Sequence, residues 1–146
     1  AALVVSGYFK LATTNTKGDD AVVNFAFPGE LITDFHCSLY GEQSEMSVIA
    51  GTDSEILKVP LKDFIGVLSP NLLIEYRSLF KAVLLRHLNI YRKTPEQRYI
   101  ELCDLYPEII KTVALKDIAS YLLITPNHLS RIRRKLAAEI KGKYEK

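Results

Sequence analysis

A chain of 146 residues, 48% hydrophobic and 25% charged, without a low-complexity tract, is long enough to bury a core as one large domain or two small ones. No apolar run reaches the roughly 18 residues of a membrane span, and the opening Ala1–Val5 is too short, and lacks the basic flank, for a signal peptide. Two cysteines, Cys37 and Cys103, are too few for a disulfide scaffold or a four-ligand metal site and point to a reducing, intracellular setting. The net charge of +2 conceals a gradient: residues 1–69 carry four Lys/Arg against nine Asp/Glu, and residues 111–146 carry nine against three. An acidic front and a basic tail imply two modules with different partners; the tail either meets a polyanion or is a merely solvated face.

The first 60 residues read as short strands. A half-alternating run from Val4 to Thr13 and a β-branched, aromatic run from Ala21 to Phe27 flank the turn cluster Asn15–Asp20, which predicts a hairpin. Pro28-Gly29-Glu30 breaks it, Leu31–Leu39 is a further apolar stretch, and Glu45–Ala50 and Glu55–Val59 predict two strands around Gly51–Ser54. Turn signals at this spacing predict an antiparallel roll or barrel.

Beyond Pro60 the texture becomes helical. From residue 71 to 92 there is neither Gly nor Pro, and Leu73, Tyr76, Phe80, Val83, His87 and Ile90 follow the 3-4 rhythm of a coiled-coil seam. Such a stripe serves either a dimer partner or the core of a single domain; His87 in it is a packed or interfacial residue rather than a ligand. Thr94-Pro95-Glu96-Gln97 combines an N-cap, a proline at the first helical position and a capping-box glutamine, so a second helix starts there and runs to about Tyr106, before Pro107.

Two closely spaced helices follow, Leu115–Leu122 and Pro126–Ile140. Helices crossing steeply over a short turn need a small residue at closest approach and apolar facing sides; Ala119 supplies the first, and Ile118, Leu122, Ile124, Leu129 and Ile132 the second. Thr125 caps the second helix and Pro126 opens it. Asn127, His128, Ser130, Arg131, Arg133 and Arg134 are then left to point outward, a set suited to base edges in a major groove and to phosphates, with Lys116 and Lys135 as sequence-independent phosphate contacts. Leu123 occupies the turn position usually held by glycine, so it either avoids positive φ or bears strain. The bland alternative is a helical hairpin with a basic face.

The order of strands, long helix and helix-turn-helix, with Ile118-Ala119-Ser120-Tyr121-Leu122 leading into Ile124-Thr125-Pro126-Asn127-His128-Leu129-Ser130-Arg131-Ile132-Arg133, resembles the Crp/Fnr transcription regulators, and its wording is similar to their Bacteroidetes-type members. The resemblance implies an α+β chain: an incomplete cyclic-nucleotide-binding-like jelly roll over 1–69, beginning in mid-sheet at Ala1 without the family's opening strands, a dimerisation helix over 70–93 and a helix-turn-helix DNA-binding domain over 94–146. It implies a cytoplasmic homodimer on a two-fold-related double-stranded DNA site, and it admits RNA polymerase as a further partner. Asn127, His128 and Arg131 would face bases, and Thr125, Ser130, Arg133 and Arg134 bases or backbone.

The resemblance also puts an effector pocket at Gly29, Glu30, Leu31, Thr33, Asp34, Ser44 and Glu45. Nucleotide-binding members have Gly-Glu where this chain has Thr33-Asp34, and Arg-Ser where it has Ser44-Glu45; residues 1–69 contain no arginine. A buried phosphate beside Glu45 without a cation would be repelled, so neither cyclic AMP nor cyclic GMP is expected to bind; the alternative is a regulator responding to a nucleotide or another small effector through an altered pocket. Asp34, His36 and Cys37 invite a nucleophile reading, but on a strand Cys37 would point away from the other two. One cysteine in the front module cannot hold an iron–sulfur cluster. With no phosphate-binding glycine loop, HExxH or CxxC in the sequence, neither an enzyme nor a cofactor is expected.

Overall fold

The computed structural model describes residues 1–34, 37, 40, 42–60, 63 and 72–144, with the side chains at 72, 73, 75, 76, 78, 79 and 142–144 outside that description. The chain separates into two compact units, Ala1–Arg92 and Lys93–Lys146. His36, the side chains of Leu73 and Tyr76, and the expected boundary at 69/70 lie outside the described residues.

The first unit contains β1 (Ala2–Ser6), β2 (Phe9–Thr14), β3 (Asp20–Ala26), β4 (Leu31–Ile32), β5 (Ser47–Ala50), β6 (Glu55–Lys58) and the helix α1 (Leu72–Arg92). The strands form two antiparallel sheets in the orders β4-β1-β6 and β3-β2-β5. The chain crosses repeatedly between them, the habit of a jelly roll, and with the following helices this is an α+β chain.

Two expectations are corrected here. The run Val4–Thr13 is two strands in different sheets, because the chain turns at Gly7. That glycine has φ 74°, and a Cβ there would stand 2.1 Å from Ser54 Oγ, so only glycine lets the corner pass. The two strands expected around Gly51–Ser54 are present and lie in different sheets: β5 pairs with β2, and β6 with β1. Among the described residues of Leu31–Leu39 only Leu31–Ile32 are strand; Asp34 Oδ1 accepts the Cys37 amide (3.3 Å), an N-cap contact, and Cys37 and Tyr40 are helical.

The hairpin of β2 and β3 matches expectation. Asn15 closes its turn by accepting the amides of Lys17 (2.8 Å) and Asp19 (3.0 Å) on Oδ1. The inner faces supply Ala2, Val4, Phe9, Leu11, Ala26 and Ile32, with Met46 and Ile56 packed against them. Tyr8, Phe25 and Phe27 cluster with ring centroids 6.0–6.4 Å apart; Gly51 leaves room for the Tyr8 ring, whose Cζ would lie 2.0 Å from a Cβ there. Arg86 of α1 donates to the Val23 carbonyl of β3, tying the helix to this unit.

The second unit comprises α2 (Pro95–Leu105), α3 (Ile109–Thr112), α4 (Leu115–Tyr121) and α5 (Pro126–Tyr144). The expected capping box opens α2: Thr94 Oγ1 accepts the Gln97 amide (3.2 Å) and Gln97 Oε1 accepts the Thr94 amide (2.9 Å). The short α3 falls where an irregular segment is expected, and α5 continues past Ile140. Ile109, Ile118, Leu129 and Ala119 are completely or almost completely buried, with Tyr99, Leu102, Leu122 and Ile132 around them. Each large apolar side chain so buried contributes about 1.5–3 kcal/mol of transfer free energy. Among the described residues no helix is long and apolar enough to cross a membrane.

Candidate nucleic-acid interface and effector cavity

The turn between α4 and α5 decides how α5 is presented. Helix α4 ends in a Schellman motif: the Ile124 amide donates to Ala119 O (3.0 Å), and the Leu123 amide to Ser120 O (3.0 Å). The geometry requires a left-handed residue after the cap, and Leu123 takes it at φ 56°. Of the two outcomes expected for this leucine, strain is the one observed, at about 1–2 kcal/mol. Helix α5 then starts at once, with the Thr125 hydroxyl accepting the His128 amide (3.2 Å), an N-cap contact.

Leu129 and Ile132 turn into the core, and Asn127, Arg131 and Arg134, spaced four and three residues apart, share the exposed face. Thr125 and Lys116 are exposed too, whereas His128, Ser130 and Arg133 are half-buried on the flanks. Arg133 is thus not simply outward: its charge acts on Tyr99 and Cys103, which lie one turn apart on α2. Burial first, then the hydrogen bond with Cys103, push the Tyr99 hydroxyl up to about 12, and burial also raises the Cys103 thiol. Among the described residues no carboxylate pairs with Arg131, Arg133 or Arg134.

Lys135 differs from its expected role. Its ammonium meets both Glu96 oxygens (2.9 and 2.8 Å), with Glu139 at 3.7 Å; the hydrogen bond and charge of Glu96 raise its pKa. Lys135 therefore ties α5 to α2 and is already compensated. Arg98 was not singled out by sequence reasoning. It donates from Nη2 to Leu122 O (2.9 Å) and from Nη1 to Lys93 O (3.1 Å); no local pattern announces a partner 24 residues away.

On α1, Phe80 and Val83 are 59% and 60% exposed, His87 is exposed with Tyr91 set edge-on at 5.3 Å, and Ile90 is half-buried. Phe80 and Val83 thus leave part of the described seam as an exposed apolar surface.

In the first unit a cavity of about 900 Å³ is lined by Phe9, Leu11, Ile32, Met46, Val48 and Ile56, with Thr33, Asp34, Cys37, Glu42, Ser44 and Lys58 among its polar lining. Of the expected pocket residues it gathers Thr33, Asp34 and Ser44. Gly29, Glu30, Leu31 and Glu45 do not line it; Glu30 accepts the Phe27 amide (2.8 Å) to close its turn, and Gly29 takes φ 90° in the same turn. Ser44 donates to Asp34 Oδ2 (2.6 Å) and accepts the Met46 amide (3.0 Å). Burial, Asp34, Glu42 and Glu45 all raise the Cys37 thiol, so this wall carries negative potential. Among the described residues no cluster of His, Cys, Asp and Glu is arranged for a metal ion.

The first unit is thus a two-sheet roll with a cavity and a long helix, and the second unit is helical. Residues 1–71 match the Cyclic nucleotide-binding domain family. Solved structures with this fold include a cyclic nucleotide-binding domain containing protein from Listeria monocytogenes EGD-e (19% identity, TM-score 0.67, covering 94% of this chain and 72% of that one). FixK2 from Bradyrhizobium japonicum matches at 17% identity and TM-score 0.71 (94% and 74%). A CRP/FNR family transcriptional regulator from Thermus thermophilus matches at 14% and 0.68 (94% and 75%). Among curated proteins none matches. The first 71 residues are therefore similar to the cyclic nucleotide-binding domain family, and over 94% of its length the chain shares the fold of these solved structures, a CRP/FNR family transcriptional regulator among them.

Proposed function

We propose that this chain is a sequence-specific, DNA-binding transcription regulator of the Crp/Fnr type, a cytoplasmic homodimer and not an enzyme. The observation that carries the reading is the cationic face of α5. Asn127, Arg131 and Arg134 stand exposed on a helix whose opposite side is core, and the arginines have no carboxylate partner among the described residues. The segment 94–146 acts as a helix-turn-helix domain: α5 enters the major groove, Arg131 and Asn127 read base edges, and Thr125, Ser130, Arg133, Arg134 and Lys116 hold the backbone, with His128 at the groove edge. The apolar stripe of α1, open at Phe80 and Val83, joins two copies so that their recognition helices address a two-fold site. Affinity for random duplex should fall more than ten-fold between roughly 50 and 200 mM salt; a salt-independent interaction would replace DNA with a protein partner.

The cavity in 1–69 does not bind cyclic AMP or cyclic GMP in this reading. Asp34 already engages Ser44, Glu42 stands beside them, and Lys58 is the lone Lys or Arg of the described lining; a cyclic phosphate needs a cation there. The size of the cavity supports a second reading, a regulator that responds to a cyclic nucleotide or another small effector taken at this site. Calorimetry with cyclic AMP and cyclic GMP separates the two: heat of saturable binding would favour a nucleotide-responsive protein.

A further inference from the structure

We propose that Arg98 is the positioning residue that sets the pose of the recognition helix within the second unit. The proposal rests on the DNA-interface reading and concerns how that interface is held. Leu122 is the C-cap of α4, at the end where a helix leaves its last carbonyls without intrahelical partners and carries partial negative charge. The Arg98 guanidinium supplies the missing donor at 2.9 Å, and its other terminal nitrogen holds Lys93 O at 3.1 Å. Lys93 is the first residue of the second unit, bonded to the last residue of α1. Leu122 immediately precedes the left-handed Leu123, whose turn aims α5.

One rigid, planar fork therefore spans the first residue of the second unit and the turn that launches α5. A fork can hold two carbonyls at once with fixed geometry, whereas a lysine ammonium is a point donor on a flexible stem. A backbone shift at residue 93 must either carry Leu122 O with it or break a charge-assisted bond. Arg98 in this role touches no nucleic acid; it acts through the turn.

The test compares Arg98→Met, which keeps length and apolar bulk, and Arg98→Lys, which keeps the charge. Full-length protein is titrated with a selected specific duplex and with random duplex at one salt concentration, and urea unfolding is followed in parallel. Arg98→Met should lose ten-fold or more in specific affinity with random-duplex affinity within about two-fold, and Arg98→Lys should recover part of the loss. Equal losses on both duplexes would make Arg98 a phosphate contact and overturn the proposal, as would unchanged specific binding. If Arg98→Met unfolds, Arg98→Lys alone decides, since a folded lysine variant with full specificity also refutes the fork. If the unaltered protein binds no duplex, the DNA-interface reading fails and takes this role with it; binding by the unaltered protein with no effect of either variant sinks the Arg98 role alone.

Discussion

Replacing Leu123 by glycine and, separately, by alanine tests the turn that presents α5. At φ 56° an L-residue pays about 1–2 kcal/mol relative to glycine, while glycine costs about 0.5–1 kcal/mol in unfolded-chain entropy. The side chain is 60% exposed, so its modest burial is lost equally in both variants and cancels from their difference. Leu123→Gly should therefore exceed Leu123→Ala in stability by about 0.5–1 kcal/mol, against the usual order at ordinary backbone positions. With a urea dependence of about 1 kcal/mol/M for a small unit, the midpoints should differ by roughly 0.5–1 M, read by far-UV circular dichroism of the helices. The comparison of alanine with glycine removes the apolar contribution that complicates either variant alone. Alanine equal to or above glycine would mean that Leu123 is not left-handed and that the Schellman turn is misread.

Arg131→Ala should relax selection at one base position of each half-site, costing about 1–3 kcal/mol against the preferred base, as measured by competition footprinting. Lys116→Ala should weaken all duplexes and lower the salt slope by about one, whereas Lys135→Ala should leave that slope unchanged because Glu96 and Glu139 already compensate it. Phe80→Glu should convert dimer to monomer in sedimentation, with association at least ten-fold weaker. Tyr99 has a folded pKa of about 12 against an ordinary 10. Stability from keeping it neutral is whole below pH 10 and lost as pH rises through 12, on the order of 2 kcal/mol. Urea midpoints at pH 9 and 11.5 should show that loss, and Tyr99→Phe should remove it.

Local chemistry made the second unit readable. The Thr94 box, Pro126 after Thr125, the small Ala119 and the spacing of Ile118, Leu122, Leu129 and Ile132 are all set within one or two helical turns, and periodicity reports such patterns directly. Strand pairing was less legible. β5 and β6 are adjacent in sequence yet join different sheets, and the Gly7 corner that divides β1 from β2 depends on Ser54, far along the chain. Asp34 looked like a strand residue because its role, capping toward Cys37, is a side-chain choice that alternation does not encode. Arg98 to Leu122 and Lys135 to Glu96 are long-range contacts of charged residues, which any surface position would tolerate, so nothing in their composition marks them. The cavity followed only in part: Thr33, Asp34 and Ser44 converge there, but Glu30, expected beside them, is used within its own turn.

Selection from a random double-stranded oligonucleotide pool tests the central claim most directly, that α5 offers a cationic, base-reading face to DNA as one of a symmetric pair. The account predicts an enriched inverted repeat whose half-sites lie about one helical turn apart, roughly 10 base pairs centre to centre, with one position per half-site lost in Arg131→Ala. Retention without enrichment, or an asymmetric motif insensitive to Arg131→Ala, would contradict it.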